Sequence, residues 1–317
     1  MSSTVPATER SHGTTALLTT ALPFVLAAAL YLSVVFAAVA ALPLVFAYLR
    51  FGRALGVLCC VCNTALVWLT AGQFHAATFF VLAVVTGTAL TEGVRLRWQP
   101  SAVVGLSIAP MLRSLVLILG TFSAKYRVNP VERTQVLIGQ AVDRVVEDIE
   151  RYKKNHNATS QDLERVLADP QSTKRNIFNE LFSVLGIATL LVSALNFLVM
   201  IRLNLAGSRE VLGLKKLFFR SWKTPEILVW PTIAAGFSLV VEVPYISIAA
   251  LNFFKIFMAI YAIQGIAILG ALFDSWKLKQ AVRPLAYFLA VAVLLPMVIS
   301  LGFFDLWFDF RQKFKKG

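Results

Sequence analysis

Charged residues are scarce in this sequence, and their scarcity limits the classes of protein it can encode. Asp, Glu, Lys and Arg make up 15 % of the 317 residues, whereas hydrophobic residues make up 58 %. Soluble domains are about 25 % charged and about 45–50 % apolar. The chain therefore has too little polar surface to cover its apolar content in water. We interpret it as an integral membrane protein.

Several residue types and motifs that carry chemistry are also rare or missing. Three cysteines in 317 residues exclude a disulfide-stabilised secreted scaffold. The three histidines are scattered, which argues against a zinc site. The sequence contains neither a Gly-x-x-x-x-Gly-Lys-Ser/Thr nucleotide loop nor a Gly-x-Ser-x-Gly nucleophile elbow. We therefore expect a protein that is not an enzyme and that needs no cofactor.

Long continuous apolar runs are what the sequence does contain. A helix of about 20 apolar residues crosses the hydrocarbon core of a bilayer. The runs predict an all-α, polytopic membrane protein of about eight transmembrane helices. The predicted spans are 16–49, 54–70, 76–90, 102–122, 181–201, 227–243, 245–273 and 285–304. The first is too long for one straight crossing and contains Pro23 and Pro43, so we expect a broken or tilted end.

These runs divide the chain into four parts. Residues 1–15 form a flexible N-terminus, 16–122 the first half of the transmembrane bundle, 123–180 a charged helical insert, and 181–317 the second half with a basic loop at 202–223. Apolar residues recur every three or four positions through much of the insert, which predicts an amphipathic helix with a narrow apolar seam. This seam packs on the rest of the protein, lies on the bilayer surface, or pairs with a second copy in a homo-oligomer.

The net charge of +13 lies mostly in the loops between apolar runs. It therefore indicates cytoplasmic loops next to the lipid bilayer, and we expect no binding of nucleic acid. Basic residues cluster in loops at 50–53, 95–97, 202–223 and 277–283. Placing all four loops inside gives one alternation of eight spans, which puts the insert and the C-terminus outside. The basic tail at 311–316 argues against that position of the C-terminus.

Polar side chains within the apolar runs are the candidate functional residues. A charge at the centre of a bilayer costs about 2.5–3.5 kcal/mol on insertion scales, so such groups usually face protein or water and serve a function. Arg113, Asn252 and Lys255 are the candidate substrate-binding residues, because together they offer donors to a small anionic solute. Glu242 is the candidate partner of Lys255 or Arg113 in an intramembrane ion pair.

Three stretches of the second half resemble a known family. They are RSWKTPEILVWP at 220–231, the helix from NFFK to QG at 252–265, and LGFFDLWFDFR at 301–311. Together they resemble the YybS-like family of bacterial multipass membrane proteins, a domain of unknown function. The resemblance implies a location in the bacterial inner (cytoplasmic) membrane and a distant similarity to the substrate-binding subunits of energy-coupling-factor vitamin transporters. It implies no catalytic residues.

Two functions fit these observations. The first is a small-solute binding or transport subunit, which has no ATPase motif of its own and would depend on partner membrane or ATPase subunits or on an ion gradient. The second is a membrane scaffold or assembly factor that binds a partner protein through the insert helix or the basic loop. An enclosed polar cavity that touches Arg113 and Lys255 would favour the first.

Overall fold

A computed structural model of the chain describes residues 20–127, 129–156, 164, 167–215, 218–241 and 243–316. All regular structure in this part of the chain is helical, without a β-strand. The helices are α1 (Pro23–Leu32), α2 (Ala41–Phe51), α3 (Arg53–Ala71), α4 (Gln73–Arg95), α5 (Pro100–Tyr126), α6 (Pro130–His156), α7 (Pro170–Leu203), α8 (Ser208–Leu212), α9 (Val229–Ser238), α10 (Pro244–Ser275), α11 (Arg283–Val293), α12 (Leu295–Phe308) and α13 (Phe310–Lys316).

Four of these helices, α3, α4, α7 and α10, are long and apolar enough to cross a membrane. The pair α11 and α12, bent by 96°, gives a fifth if it counts as one span. The predicted all-α, polytopic membrane fold is therefore confirmed. Within the described residues the number of such helices is smaller than the eight spans that the sequence predicts.

Proline and short helix length account for much of the difference. The predicted span 227–243 contains α9, which has only 10 residues and a length of about 15 Å, half of a bilayer core. Residue 244 is a proline that begins α10, and the residue before a proline is restricted away from helix. The predicted span 285–304 is broken at Leu294, because Pro296 lies in the first turn of α12.

The described residues belong to two compact units. Unit 1 consists of Met1–Leu115, Ala188–Glu226 and Ile260–Gly317, and unit 2 of Val116–Ile187 and Ile227–Ala259. The boundaries fall within α5, α7 and α10, so these helices contribute residues to both units.

An antiparallel hairpin of α3 and α4 organises part of unit 1. The chain reverses at Gly72, whose φ of 87° lies in the region that glycine adopts without a steric cost. At the opposite end of the hairpin, Arg53 donates through Nε and Nη2 to the two carboxylate oxygens of Glu92, at 3.0 and 2.7 Å. The hairpin is thus closed by a tight turn at one end and by a bidentate ion pair at the other.

The insert of unit 2 forms the amphipathic helix α6 that the sequence predicts. Val142 and Ile149 of its apolar seam are buried. Val131, Val145 and Tyr152 of the same seam are about half exposed, at 52, 49 and 49 %. Only part of the seam is therefore covered by the chain itself.

Candidate functional site

Arg113 lies on an open groove in unit 1, between α4 and α5. The groove has a volume of about 450 Å³ and is lined by Ala89, Glu92, Trp98, Ala109, Pro110 and Arg113. The end of α4 sets the position of Trp98. The backbone N–H of Trp98 donates to the carbonyl of Gly93 at 3.0 Å, and Arg97, just before it, has a φ of 53°. This is the hydrogen-bond pattern of a Schellman motif, with a non-glycine residue in the left-handed position.

Arg113 supplies a positive charge to the groove. Arg113 is exposed and forms no ion pair with another described residue. Glu92, which lines the same groove, is already held by both donors of Arg53. A guanidinium binds a carboxylate or phosphate through two parallel hydrogen bonds, so this arrangement suits an anion. Trp98, 38 % exposed, adds an aromatic surface.

Asn252 and Lys255 lie one turn apart on α10 in unit 2, and both contact α7. The Nζ atom of Lys255 is 2.7 Å from Oε1 of Glu180. Glu242, the predicted partner, lies outside the described residues. The structure thus gives Lys255 a different carboxylate, about three turns into α7, at the last residue of the part of the sequence assigned to the insert. The two side chains are about one third exposed, which partly screens the pair.

The Asn252 amide contacts two backbone groups of one turn of α7. Its Oδ1 accepts from the N–H of Ser183 at 2.8 Å, and its Nδ2 donates to the carbonyl of Asn179 at 2.7 Å. In a regular α-helix this N–H and this carbonyl bond to each other. The amide hydrogen that remains is donated to the carbonyl of Ile248 at 2.8 Å. Both donors of Asn252 are therefore used within unit 2, and Arg113 belongs to unit 1.

A buried polar network in unit 1 joins the three stretches that carry the family resemblance. Gln264 accepts from the N–H of Thr224 at 2.8 Å and donates to Oδ2 of Asp305 at 3.1 Å. Arg311 donates to the carbonyl of Trp222 at 2.8 Å and lies 3.7 Å from the same Asp305 oxygen. Burial lowers the pKa of Arg311 below its ordinary value, and the nearby carboxylates oppose this shift. Asp305 is fully buried, and Gln264 and Arg311 are its side-chain partners.

Two glycines bring α10 and α12 close enough for this network. A Cβ atom on Gly302 would collide with the carbonyl oxygen of Tyr261, and one on Gly265 would collide with that of Val298. Small residues at helix crossings in membranes allow such backbone contact. The crossing places Asp305, three residues after Gly302, beside the Gln264 side chain.

The loop from Phe218 to Glu226 also holds both ends of the bent pair α11–α12. Arg220 and Arg283 both form ion pairs with Asp274. Nη1 of Arg283 is 2.7 Å from Oδ1 of Asp274. At the other end of the pair, Lys223 lies 3.3 Å from Asp309. The pair therefore begins and ends beside one loop, whereas the sequence predicts a crossing at 285–304. The C-terminal helix α13 consequently lies next to the basic loop, where Arg311 donates to the carbonyl of Trp222.

Sequence reasoning did not single out several of these residues. Glu180, Gln264, Asp305 and Arg311 have no predicted site role, although the family resemblance includes the last three. Asp305 offers a usable signal, because it is the only acidic residue in the apolar stretch 294–308. Among the residues that the structure describes, no group of three or more His, Cys, Asp or Glu side chains is arranged to hold a metal ion.

The fold and its intramembrane polar groups define an all-α, multi-pass membrane protein. A family model described as "Predicted membrane protein (DUF2232)" matches residues 17–306. The chain belongs to this family, which agrees with its resemblance to YybS-like proteins. No curated protein and no solved structure matches the chain. The distant similarity to energy-coupling-factor subunits stays a prediction.

Proposed function

We propose that the protein is a small-solute binding or transport subunit of the bacterial inner membrane, which binds an anionic solute in the groove at Arg113. The observation that carries this proposal is an exposed guanidinium without a described ion-pair partner in a groove of about 450 Å³. Sites for small molecules have volumes of about 300–1,000 Å³ and contain a few convergent polar groups.

The lining of the groove suggests the shape of the solute. The Arg113 guanidinium matches one carboxylate or phosphate group, and the Trp98 indole offers a flat surface on which an aromatic ring or an apolar group can stack. The remaining lining residues are small or apolar, apart from Glu92, whose oxygens are held by Arg53. A solute with an anionic end and a ring fits this combination.

In this proposal, another protein or an ion gradient supplies the energy for transport. The sequence contains no nucleotide-binding loop. Movement of the solute against a gradient would therefore use partner membrane or ATPase subunits or a coupled ion gradient.

Thermal unfolding of the purified protein in detergent tests the groove, with benzoate, acetate and choline as probes. Benzoate should raise the unfolding temperature most, because it has both a carboxylate and a ring, and choline should have no effect. Saturation at a hundred times Kd would stabilise the fold by about 2.7 kcal/mol. Arg113→Gln should weaken the affinity for benzoate by about ten- to a hundredfold, since it removes a charge-assisted contact.

The matched control is Arg133→Gln, which removes an exposed charge from α6. It should leave the benzoate effect unchanged. Trp98→Ala should weaken the binding of benzoate more than the binding of acetate, because only benzoate has a ring that stacks on the indole. Equal stabilisation of the wild type and Arg113→Gln, or no stabilisation of the wild type by either anion, would contradict the proposal.

A further inference from the structure

Two segments of unit 1 combine exposed aromatic rings with lysines. In the turn between α10 and α11, Trp276 is 66 % exposed and is followed by exposed Lys277 and Lys279. The second segment is the C-terminal half of α12 with α13. Its exposed rings are Phe304, Trp307 and Phe308, at 45, 54 and 50 %.

Contacts with one loop place the two segments at the same end of unit 1. Asp274, two residues before Trp276, pairs with Arg220. Asp309, which follows the aromatic residues of α12, pairs with Lys223. Arg220 and Lys223 are three residues apart, so their backbones are separated by at most about 11 Å. The two segments therefore lie at the same end of unit 1, beside this loop.

The exposed rings of α12 form a ridge on the face opposite the buried network. Trp307 lies beside Phe304 with ring centres 6.1 Å apart, and Phe308 lies beside Phe304 at 6.3 Å. The Nζ atom of Lys313 is 5.1 Å above the centre of the Phe308 ring. On the other face, Asp305 is fully buried. The buried side of α12 thus anchors these exposed rings to the protein, and the Lys313 ammonium group lies over the last ring, Phe308.

Acidic residues in these segments are already paired with basic residues of the same unit. Asp274 pairs with two arginines, Asp309 with Lys223, and Asp305 lies beside Arg311. The charges left for a partner are positive. They belong to Lys277, Lys279 and Lys313 in the described side chains, and to Lys315 and Lys316 in the sequence.

We propose that these two segments form a surface that binds the head groups of anionic phospholipids. Aromatic rings next to lysines are typical of the boundary between hydrocarbon and head groups, where tryptophan sits at the level of the carbonyls and lysine reaches phosphate. Clustered lysines at that level attract an anionic leaflet. The lysines of the surface match the phosphate of an anionic phospholipid, and its aromatic rings match the boundary region of the bilayer.

The test is the thermal unfolding of the full-length protein in detergent, with and without added phosphatidylglycerol, and with phosphatidylcholine as the neutral lipid. The variant replaces Lys277, Lys279 and Lys313 with glutamine. Phosphatidylglycerol should raise the unfolding temperature of the wild type more than phosphatidylcholine does. The variant should lose most of this difference, because each lysine near an anionic surface contributes about fivefold to affinity.

A matched control removes three exposed basic charges from α6 by Arg133→Gln, Arg144→Gln and Lys153→Gln. This control should keep the full response to phosphatidylglycerol. The lipid-free unfolding temperature of the first variant should equal that of the wild type, which shows that its fold is intact. An unchanged response in the lysine variant, or an equal response of the wild type to inorganic phosphate alone, would overturn the proposal. Arg113 is unchanged in every protein of this test. Any binding of an anion to the solute groove is therefore the same in all of them, and a difference between the variants reports on the lysines alone.

Discussion

Single buried amides connect neighbouring helices at the scale of the residue. Asn63, fully buried in α3, accepts from the N–H of Ala28 at 2.8 Å and donates to the carbonyl of Pro23 at 3.0 Å. Asn196 of α7 donates to the carbonyl of Ala38 at 2.7 Å, and Asn252 of α10 accepts from the N–H of Ser183 in α7 at 2.8 Å. An amide can do this because it offers a donor and an acceptor without a charge. In an apolar medium such contacts satisfy backbone groups that water cannot reach.

The ion pair between Lys255 and Glu180 leads to a prediction on stability. Lys255→Met should lower the free energy of unfolding by about 1–3 kcal/mol, because it leaves the Glu180 carboxylate without its cation. The loss should be smaller than for a fully buried pair, since both side chains are about one third exposed. The double variant Lys255→Met with Glu180→Gln should recover most of the loss. Denaturant unfolding in detergent measures both.

Lys153→Met, at an exposed position of α6, is the control for the loss of a lysine charge. It should change the free energy of unfolding by no more than about 0.5 kcal/mol. If the double variant is as unstable as Lys255→Met alone, the two side chains are not energetically coupled.

Helix crossings at the scale of the element depend on where the sequence has glycine. Gly302→Ala should destabilise the protein by about 1–3 kcal/mol, because the added methyl group meets the carbonyl oxygen of Tyr261 and forces α10 and α12 apart. This movement would also separate Asp305 from Gln264. Thermal unfolding in detergent measures the effect.

Gly139→Ala on α6 is the matched control, since a Cβ atom there has no atom of the described neighbours within 4 Å. Alanine at this position should stabilise the helix by about 0.5–1 kcal/mol through its higher helix propensity. A Gly302→Ala variant at least as stable as the wild type would mean that the crossing is looser than the structure describes.

The position of the C-terminus is a property of the whole molecule. Because α13 lies next to the basic loop, cysteines at Lys215 and Lys313 should react with a membrane-impermeant thiol reagent from the same side. A cysteine at His75 should react from the other side, since this residue lies at the turn of the α3–α4 hairpin, far from Arg53 and Glu92. The background protein carries Cys62→Ala, because Cys62 is the exposed native cysteine.

The labelling experiment uses intact cells and opened membrane vesicles in parallel. Positive loops are usually cytoplasmic, so the first two cysteines should react only after the membrane is opened. Labelling of the Lys215 and Lys313 positions from opposite sides would contradict the return of the α11–α12 pair to its starting loop.

Much of the architecture follows from local properties of the sequence. Apolar runs predict α3, α4, α7 and α10 as spans, and the three-to-four-residue recurrence predicts α6, because hydrophobicity and period are properties of neighbouring residues. Run length also predicts eight spans, whereas four helices of the described residues, or five with the bent pair, are long and apolar enough. Run length alone does not show that α9 has only 10 residues or that α11 and α12 meet at 96°.

The sequence by itself determined the class of the protein, its helical insert and the polar residues that stand out at membrane depth, since apolar length, charge and period are read along the chain. Only the tertiary structure decided their partners. Ser183 and Asn252 are 69 residues apart, and Gln264 and Asp305 are 41 apart. Such pairs form because helix packing brings distant turns together and because an unpaired polar group is costly in an apolar interior. Which of several polar groups meet is therefore set by the packing and not by the order of residues.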